Sequence, residues 1–299
     1  MEMQRVAGVH CATGECPIWH AGEQSWYWVD IPARRIWRMA HDGGALRHWT
    51  AHEMVACIAA AADGGLVAGM ETGVFHLALN DDGSVAAQRL AAPPPEELGA
   101  GMRFNDGRCD RQGRFWSGTM FMDMGAARAV GALYRYSRDG GLHGPVVTRL
   151  LTQNGLAFSP DGRTMYLSDS HPQRRVVWAY DYDVDAGLPS HERVFLDLAQ
   201  QKGRPDGAAV DTDGCYWSCA NDGGLLQRFT PQGTLDREIA LPMAKPSMCA
   251  FGGPDLQTLL VTSIDPAGAA AAAGSEGDAG SVLLLRPGVQ GIAETPFGA

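Results

Sequence analysis

Long apolar runs and clusters of basic residues are both missing from the 299-residue sequence. Its longest apolar stretch, at about residues 267–273, is mostly alanine and glycine and is far shorter than the roughly 20 residues that a transmembrane helix needs. Acidic residues number 34 against 24 lysines and arginines, which gives a formal charge of −10. We therefore expect neither a membrane nor a nucleic acid as partner, because both present negative charge.

The sequence also lacks the signals of secretion and of disulfide or zinc scaffolds. The N-terminus has no charged start followed by an apolar centre and a small-residue cleavage site, so a cytoplasmic location is expected. The seven cysteines are odd in number and include no C-x-x-C pair, which predicts reduced and mostly buried thiols. Motifs for an activated serine, a helical zinc site, a phosphate loop and a dinucleotide fold are absent. No nucleophile on the chain is indicated, and the oligomeric state is left open.

What the sequence does contain is a repeat. Six segments, beginning near residues 23, 63, 113, 162, 214 and 255, each carry a turn rich in Gly, Asp or Pro and then an apolar or aromatic strand. Their spacing of about 40 to 50 residues is typical of one four-stranded blade, whereas a β-sandwich would not repeat one local pattern six times. The repeat predicts an all-β, six-bladed β-propeller in which residues 1–299 form one domain. An Ala- and Gly-rich insertion at about residues 267–280 falls in the last blade, and residues 5–9 are expected to supply a strand to that blade.

Equivalent positions of the innermost strands converge on the central channel of a propeller. The position eight residues before each of the six turns holds Glu15, Ala56, Asn105, Asn154, Asp206 and Ser247. Four of these side chains carry carboxylate or amide oxygens, which are ligands for a hard divalent cation, and none is a histidine. A single Asn-Gly or Asp-Gly pair is more often a β-turn, but four oxygen-bearing side chains in one register favour a shared site.

Several motifs at and around these positions are specific when taken together. They are Gly-Glu-Cys-Pro-Ile-Trp from residue 14, Arg-Phe-Asn-Asp-Gly from 103, Gly-Arg-Phe-Trp-Ser-Gly-Thr-Met from 113, Asn-Gly-Leu-Ala-Phe-Ser-Pro-Asp-Gly from 154 and Pro-Asp-Gly from 205. Through them the sequence resembles the SMP-30/gluconolactonase family, also called the regucalcin family, from about residue 14 to 263. The resemblance implies a six-bladed propeller with one divalent cation (Ca, Zn, Mn, Mg or Fe) held by Glu15, Asn154 and Asp206. It also implies that Arg103 and Asn105 contact a sugar lactone.

One stretch departs from the family pattern. Members that act on gluconolactone often carry an acidic residue shortly after Gly-Thr-Met, where it binds sugar hydroxyls. Here the chain continues Met-Phe-Met-Asp-Met from residue 120, and Asp123 is the only acid nearby. Asp123 is therefore predicted as a third substrate-binding residue, and we expect the sugar preference to differ from gluconolactone.

The predicted activity is hydrolysis of a sugar lactone to the aldonic acid by metal-activated water. Asp206 is the predicted general base, with Glu15 as an alternative, because a carboxylate beside the cation can accept a proton from the attacking water. Two other interpretations remain: hydrolysis of phosphotriesters at the same metal site, and a non-catalytic calcium-binding propeller. The presence of all three predicted ligands counts against the non-catalytic interpretation.

Overall fold

The computed structural model describes residues 2–41, 44, 46–268 and 278–299. Within these residues, 24 β-strands form six antiparallel sheets of four strands each. Strands that follow one another in the chain mostly pair with each other, since short turns join antiparallel neighbours. The innermost strands contact one another in a closed circle, including the last with the first. The predicted six-bladed β-propeller is therefore confirmed.

The first three blades run from the innermost to the outermost strand in chain order. Blade 1 comprises β2 (Gly14–His20), β3 (Ser25–Asp30), β4 (Arg35–Ala40) and β5 (Arg47–Thr50). Blade 2 comprises β6 (Val55–Ala60), β7 (Leu66–Met70), β8 (Val74–Leu79) and β9 (Val85–Ala91). Blade 3 comprises β10 (Met102–Cys109), β11 (Phe115–Phe121), β12 (Gly131–Ser137) and β13 (Gly141–Leu150).

The other three blades follow the same plan, except that the last one draws on both ends of the chain. Blade 4 comprises β14 (Gln153–Phe158), β15 (Thr164–Asp169), β16 (Val176–Asp183) and β17 (Leu188–Asp197). Blade 5 comprises β18 (Arg204–Val210), β19 (Tyr216–Asn221), β20 (Leu225–Phe229) and β21 (Leu235–Ala240). Blade 6 comprises β22 (Pro246–Gly252), β23 (Thr258–Ser263), β24 (Leu283–Leu285) and the N-terminal β1 (Met3–Arg5).

The ring is closed by the pairing of β1 with β24, which places Met3 opposite Leu285. The sequence predicted this closing strand for the right blade but at residues 5–9. The paired strand ends at Arg5, because the chain turns at Gly8 with φ 76° and then enters the core at Val9. Of the predicted insertion, residues 269–277 lie outside the described part of the chain.

The hydrophobic core consists of five clusters, most of which fill the space between neighbouring blades. Trp26 and Trp28 of blade 1 pack with Ala250 and Leu260 of blade 6. Trp217 is fully buried in a further cluster, between blades 5 and 6. Tryptophans on these fully buried strands thus pack adjacent blades together, because aromatic side chains bury a large apolar area. These contacts fix the blades against each other and hold the channel open between them.

The predicted free and mostly buried cysteines are found in the structure. All seven cysteines are free and buried. Within the described residues, short 3₁₀ helices include Ala21–Glu23 and Met124–Ala126. Across the described residues, no helix is long and apolar enough to cross a membrane.

Candidate active site at one mouth of the channel

All six innermost strands carry a bulge at nearly the same height. The register against the second strand shifts between Glu15 and Ile18, Val55 and Cys57, Phe104 and Gly107, Asn154 and Ala157, Pro205 and Ala208, and Pro246 and Cys249. A bulge leaves residues unpaired and redirects their side chains, and bulges are enriched beside active sites. The repeat positions therefore converge because one backbone irregularity recurs in every blade. The Asn-Gly and Asp-Gly pairs lie in these bulges, not in connecting turns.

Gly155 shows why glycine follows the site residue in blade 4. Its φ of 58° lies in the left-handed region, and a Cβ at this position would collide with the hydroxyl groups of Tyr216 and Ser168. Tyr216 donates its hydroxyl to the Gly155 carbonyl over 2.8 Å, which locks the bulge. The left-handed backbone at Gly155 places Asn154 at the channel.

A chain of hydrogen bonds connects blades 3 and 4 across the site. Arg103 donates from one guanidinium nitrogen to Asn105 Oδ1 at 2.7 Å. Asn105 Nδ2 in turn donates to Asn154 Oδ1 at 3.2 Å and to the Gln153 carbonyl at 2.6 Å. Asn154 Nδ2 donates to Ser170 Oγ at 2.8 Å. The amide oxygen of Asn154 therefore faces Asn105, and the predicted residues of these two blades are brought together.

Asp206 is oriented from blade 5. Its Oδ2 accepts a hydrogen bond of 2.6 Å from Asn221 Nδ2. Asn221 Oδ1 also accepts a hydrogen bond from Arg204, which reaches across to the Ser170 carbonyl at 3.1 Å. Arg204 and Asn221 thus fix the Asp206 carboxylate and tie it to the blade 4 side of the mouth.

Three buried carboxyl groups lie within electrostatic reach of one another: Glu15, Asp106 and Asp206. Burial raises the pKa of Asp206 to about 7, although Arg204 and the hydrogen bond from Asn221 oppose this. Burial, and then the charges of Asp206 and Asp106, raise the pKa of Glu15 well above its usual range. Arg103 is the positive group that acts on Glu15 in the opposite direction. The site therefore holds more buried negative charge than its neighbours balance.

This donor set fits a divalent cation. Two buried carboxylates that repel each other and an amide oxygen on the same mouth are hard oxygen ligands of the type that Ca²⁺ or Mg²⁺ takes. In the described part of the chain, no three Cys, His, Asp or Glu side chains form a metal-ligand cluster. An amide oxygen is accordingly needed to complete the set, and Asn154 supplies one.

Asp123 occupies a different setting. It is exposed and begins the 3₁₀ helix Met124–Ala126, where its Oδ1 accepts a hydrogen bond of 3.0 Å from the Gly125 amide. Among the described residues, none of the hydrogen bonds of this carboxylate reaches Arg103, Asn105 or the three buried acids. The 3₁₀ helix itself contacts blade 4, because the Met124 carbonyl lies 2.9 Å from His171 Nε2. A role of Asp123 in substrate binding stays a prediction.

Several residues that shape the site were not predicted from the sequence: Asp106, Ser170, Arg204 and Asn221. Asp106 directly follows Asn105, and its Oδ2 accepts a hydrogen bond of 2.9 Å from the Leu156 amide in the neighbouring bulge. Asn221 ends the second strand of its blade at the position that Asp30 and Asp169 occupy in blades 1 and 4. An Asp or Asn at the end of the second strand is thus the sequence signal that points to Asn221.

A family model described as the SMP-30/gluconolactonase/LRE-like region matches residues 13–265. The chain belongs to this family. The matched residues include every site residue discussed above, from Glu15 to Asn221. The family assignment made from the sequence motifs is therefore confirmed.

Relatives within the SMP-30/gluconolactonase/LRE-like family cover nearly the whole chain. The chain is 38% identical to 6-deoxy-6-sulfogluconolactonase of Pseudomonas putida, over 95% of this chain and 94% of that protein. It is 33% identical to a pentonolactonase of Haloferax volcanii, over 93% of this chain and 87% of that protein. Among solved structures, a luciferin-regenerating enzyme superposes with a TM-score of 0.88 at 25% identity, covering 100% of this chain and 99% of that one.

Proposed function

We propose that this protein hydrolyses a sugar lactone to its aldonic acid at the bulged mouth of the channel, with one divalent cation held by Glu15, Asn154 and Asp206. The observation that carries the proposal is the convergence of two buried, mutually repelling carboxylates with the Arg103–Asn105–Asn154 hydrogen-bond chain. Relatives named as lactonases, 33% and 38% identical over most of the chain, support the same reaction.

The cation supplies Lewis acidity: when bound, it polarises the lactone carbonyl and stabilises the negative charge that develops on its oxygen. Glu15 and Asp206 would offer carboxylate oxygens and Asn154 its amide Oδ1. Asn105 holds that Oδ1 through the 3.2 Å hydrogen bond, and Asn221 holds Asp206 Oδ2. The ligands are therefore oriented by neighbours before anything binds.

Asp206 acts as the general base. Arg204 and Asn221 favour the ionised form of Asp206, which is the form that a base requires. The charges of Asp206 and Asp106 instead favour the protonated form of Glu15, which cannot accept a proton. Asp206 takes a proton from water while the water oxygen attacks the lactone carbonyl carbon. The bond between that carbon and the ring oxygen then breaks, and the proton passes from Asp206 to the released ring oxygen, which becomes a hydroxyl.

Arg103 and Asn105 orient the substrate, with Asp123 at the edge of the mouth. Among the described residues, Arg103 has no acidic partner within 4 Å, so its charge is available to substrate oxygens. A planar guanidinium suits hydroxyls as well as an anionic substituent such as a carboxylate or sulfonate. The substrate class is thus a five- or six-carbon aldonolactone, with an acidic substituent tolerated.

The test is a pH-indicator assay of the purified protein on a panel of neutral and acidic aldonolactones, before and after chelation, with single metals added back. We expect acid release that disappears on chelation and returns with one preferred cation. No hydrolysis of any lactone by protein shown to contain the metal would contradict the proposal.

A further inference from the structure

The second mouth of the channel is covered by the end of the chain. Residues 287–299, called here the C-terminal strap, leave blade 6 and run across to blades 2 and 3. Gly291 pairs with Asp211 of blade 5, and Phe297 pairs with Ala61 after the innermost strand of blade 2. The Phe297 amide donates to the Ala60 carbonyl at 2.7 Å, and the Gly298 amide to the Gly113 carbonyl at 2.9 Å. The strap thus spans the opening between opposite sides of the ring.

A cavity of about 280 Å³ lies under the strap. Its walls come from the second halves of β2, β6 and β10, from Met248 of β22 and from residues 293–296 of the strap. The hydrolytic site lies at the first halves of the same strands, so the cavity is on the other side of the bulges and reaches them at Cys16, Gly107 and Met248. Most of the wall is apolar, with Ile18, Trp19, Ile58 and a run of four alanines from Ala59.

The acidic and the basic side chain in the cavity wall, Glu294 and Arg108, lie opposite each other, and His20 is at the rim. Arg108 is buried, and one of its nitrogens donates to the Ala208 carbonyl at 2.9 Å. Its Nε lies 3.4 Å from Glu294 Oε1 of the strap. A buried cation that already faces a carboxylate gives an anionic ligand little net attraction, and a second cation would have to displace Arg108. The wall therefore favours an uncharged occupant.

The volume sets the size of that occupant. Apolar cavities of about 150 Å³ in proteins stay dry and bind a single benzene ring. A cavity of about 280 Å³ has room for two fused rings. Native interiors are otherwise packed nearly as densely as organic crystals, so a void of this size under the strap is a candidate ligand-binding cavity.

We propose that this cavity is a second binding site, separate from the hydrolytic one, for a small uncharged bicyclic molecule of about the size of indole. The ligand lies between Ile18, Ile58 and the strap, with Arg108 and Glu294 at its edge. The cavity opens to solvent at its rim, where Ala21, Gly22 and Ala62 are exposed. The proposal does not depend on the lactonase activity, since neither the walls nor the strap carries a residue of the hydrolytic site.

The experiment is calorimetric titration of the full chain with indole and with indole-3-carboxylate. The wild type should bind one equivalent of indole and bind the carboxylate at least about tenfold more weakly. Glu294→Gln removes the compensating charge and should strengthen binding of the carboxylate about tenfold while leaving indole affinity unchanged.

Two substitutions fill the cavity from opposite walls: Ala60→Leu on the propeller and Thr295→Leu on the strap. Either should weaken indole binding at least about tenfold. Ala86→Leu, on an exposed position of the outermost strand of the same blade, is the matched control and should leave the affinity unchanged. If Ala60→Leu does not fold, Thr295→Leu still tests the proposal, because residue 295 lies in the strap and not in a β-sheet.

Saturating indole should also leave the KM for the lactone unchanged. Wild-type indole affinity in both filled variants, equal affinity of the wild type for indole and its carboxylate, or competition between indole and lactone would overturn the proposal.

Discussion

Asn105 Nδ2 donates a hydrogen bond of 3.2 Å to Asn154 Oδ1, which joins the bulges of two adjacent blades at the mouth of the channel. If Asn154 Oδ1 is a metal ligand, Asn105 positions it. Asn105→Ala should then weaken metal binding about tenfold or more, which is typical for loss of a residue that orients a ligand. Titration calorimetry with the activating cation measures this.

The control for that variant is Arg103→Ala. It removes a partner of Asn105 Oδ1 but leaves the bond to Asn154, so metal affinity should fall by less than about threefold. Equal metal affinity in Asn105→Ala and the wild type would show that Asn105 does not position Asn154 for metal binding.

Arg103 is predicted to act on substrate affinity and not on the chemical step. Arg103→Ala should raise KM about tenfold for a lactone bearing a carboxylate or sulfonate and a few-fold for a neutral lactone, with a smaller change in kcat. Arg103→Lys keeps the charge but not the planar donor pair, and should recover part of the affinity for the acidic lactone. Steady-state kinetics on a matched acidic and neutral lactone measure both parameters. A fall in kcat without a rise in KM would contradict the assignment of Arg103 to substrate binding.

Metal-free protein should lose stability as the pH rises. Burial raises the pKa of Asp206 from 3.8 to about 7, so the folded state binds more protons than the unfolded state between these values. The contribution of Asp206 to the unfolding free energy therefore falls as pH increases through that window and is lost above about pH 7.

Denaturant titrations of chelated protein from pH 4 to 8 measure this dependence. Asp206→Asn should flatten it and should make the metal-free protein more stable than the metal-free wild type at pH 8, because a buried charge is removed. A variant that is less stable than the wild type at pH 8 would contradict the electrostatic description of the site.

Gly155 is predicted to be intolerant of any side chain. Gly155→Ala adds left-handed strain and a collision with Tyr216, and should lower the unfolding free energy by at least about 2 kcal/mol. Gly141→Ala is the matched control: its φ of 64° is similar, but no atom lies within 4 Å of the added Cβ. That variant should cost only the strain, about 1 kcal/mol. Equal losses in the two variants would show that the bulge in blade 4 has room to adjust.

The fold was predictable because every blade repeats the same local pattern of turn and strand. The candidate site positions share one register for a related reason, since a bulge recurs within about one residue of the same distance from the turn in each innermost strand. Ala56 and Ser247 share this register with Glu15 but carry no carboxylate or amide oxygen. Register thus indicated where the site lies, and residue chemistry indicated which blades supply it.

What escaped prediction depends on contacts between strands, or between the end of the chain and the blades, that no local sequence pattern shows. Asn221 contacts Asp206 only once β19 lies beside β18. The C-terminal strap has no periodic pattern, and its position is fixed by single bridges such as Phe297 with Ala61.

The most direct test of the account is the activity of Asp206→Asn on the preferred lactone, measured at saturating cation. The substitution keeps the size of the side chain and an oxygen that can accept from Asn221, but it removes the base and one charged ligand. The account predicts a fall in kcat of at least about 100-fold, with an unchanged fold by circular dichroism. Hydrolysis near the wild-type rate by this variant would contradict it.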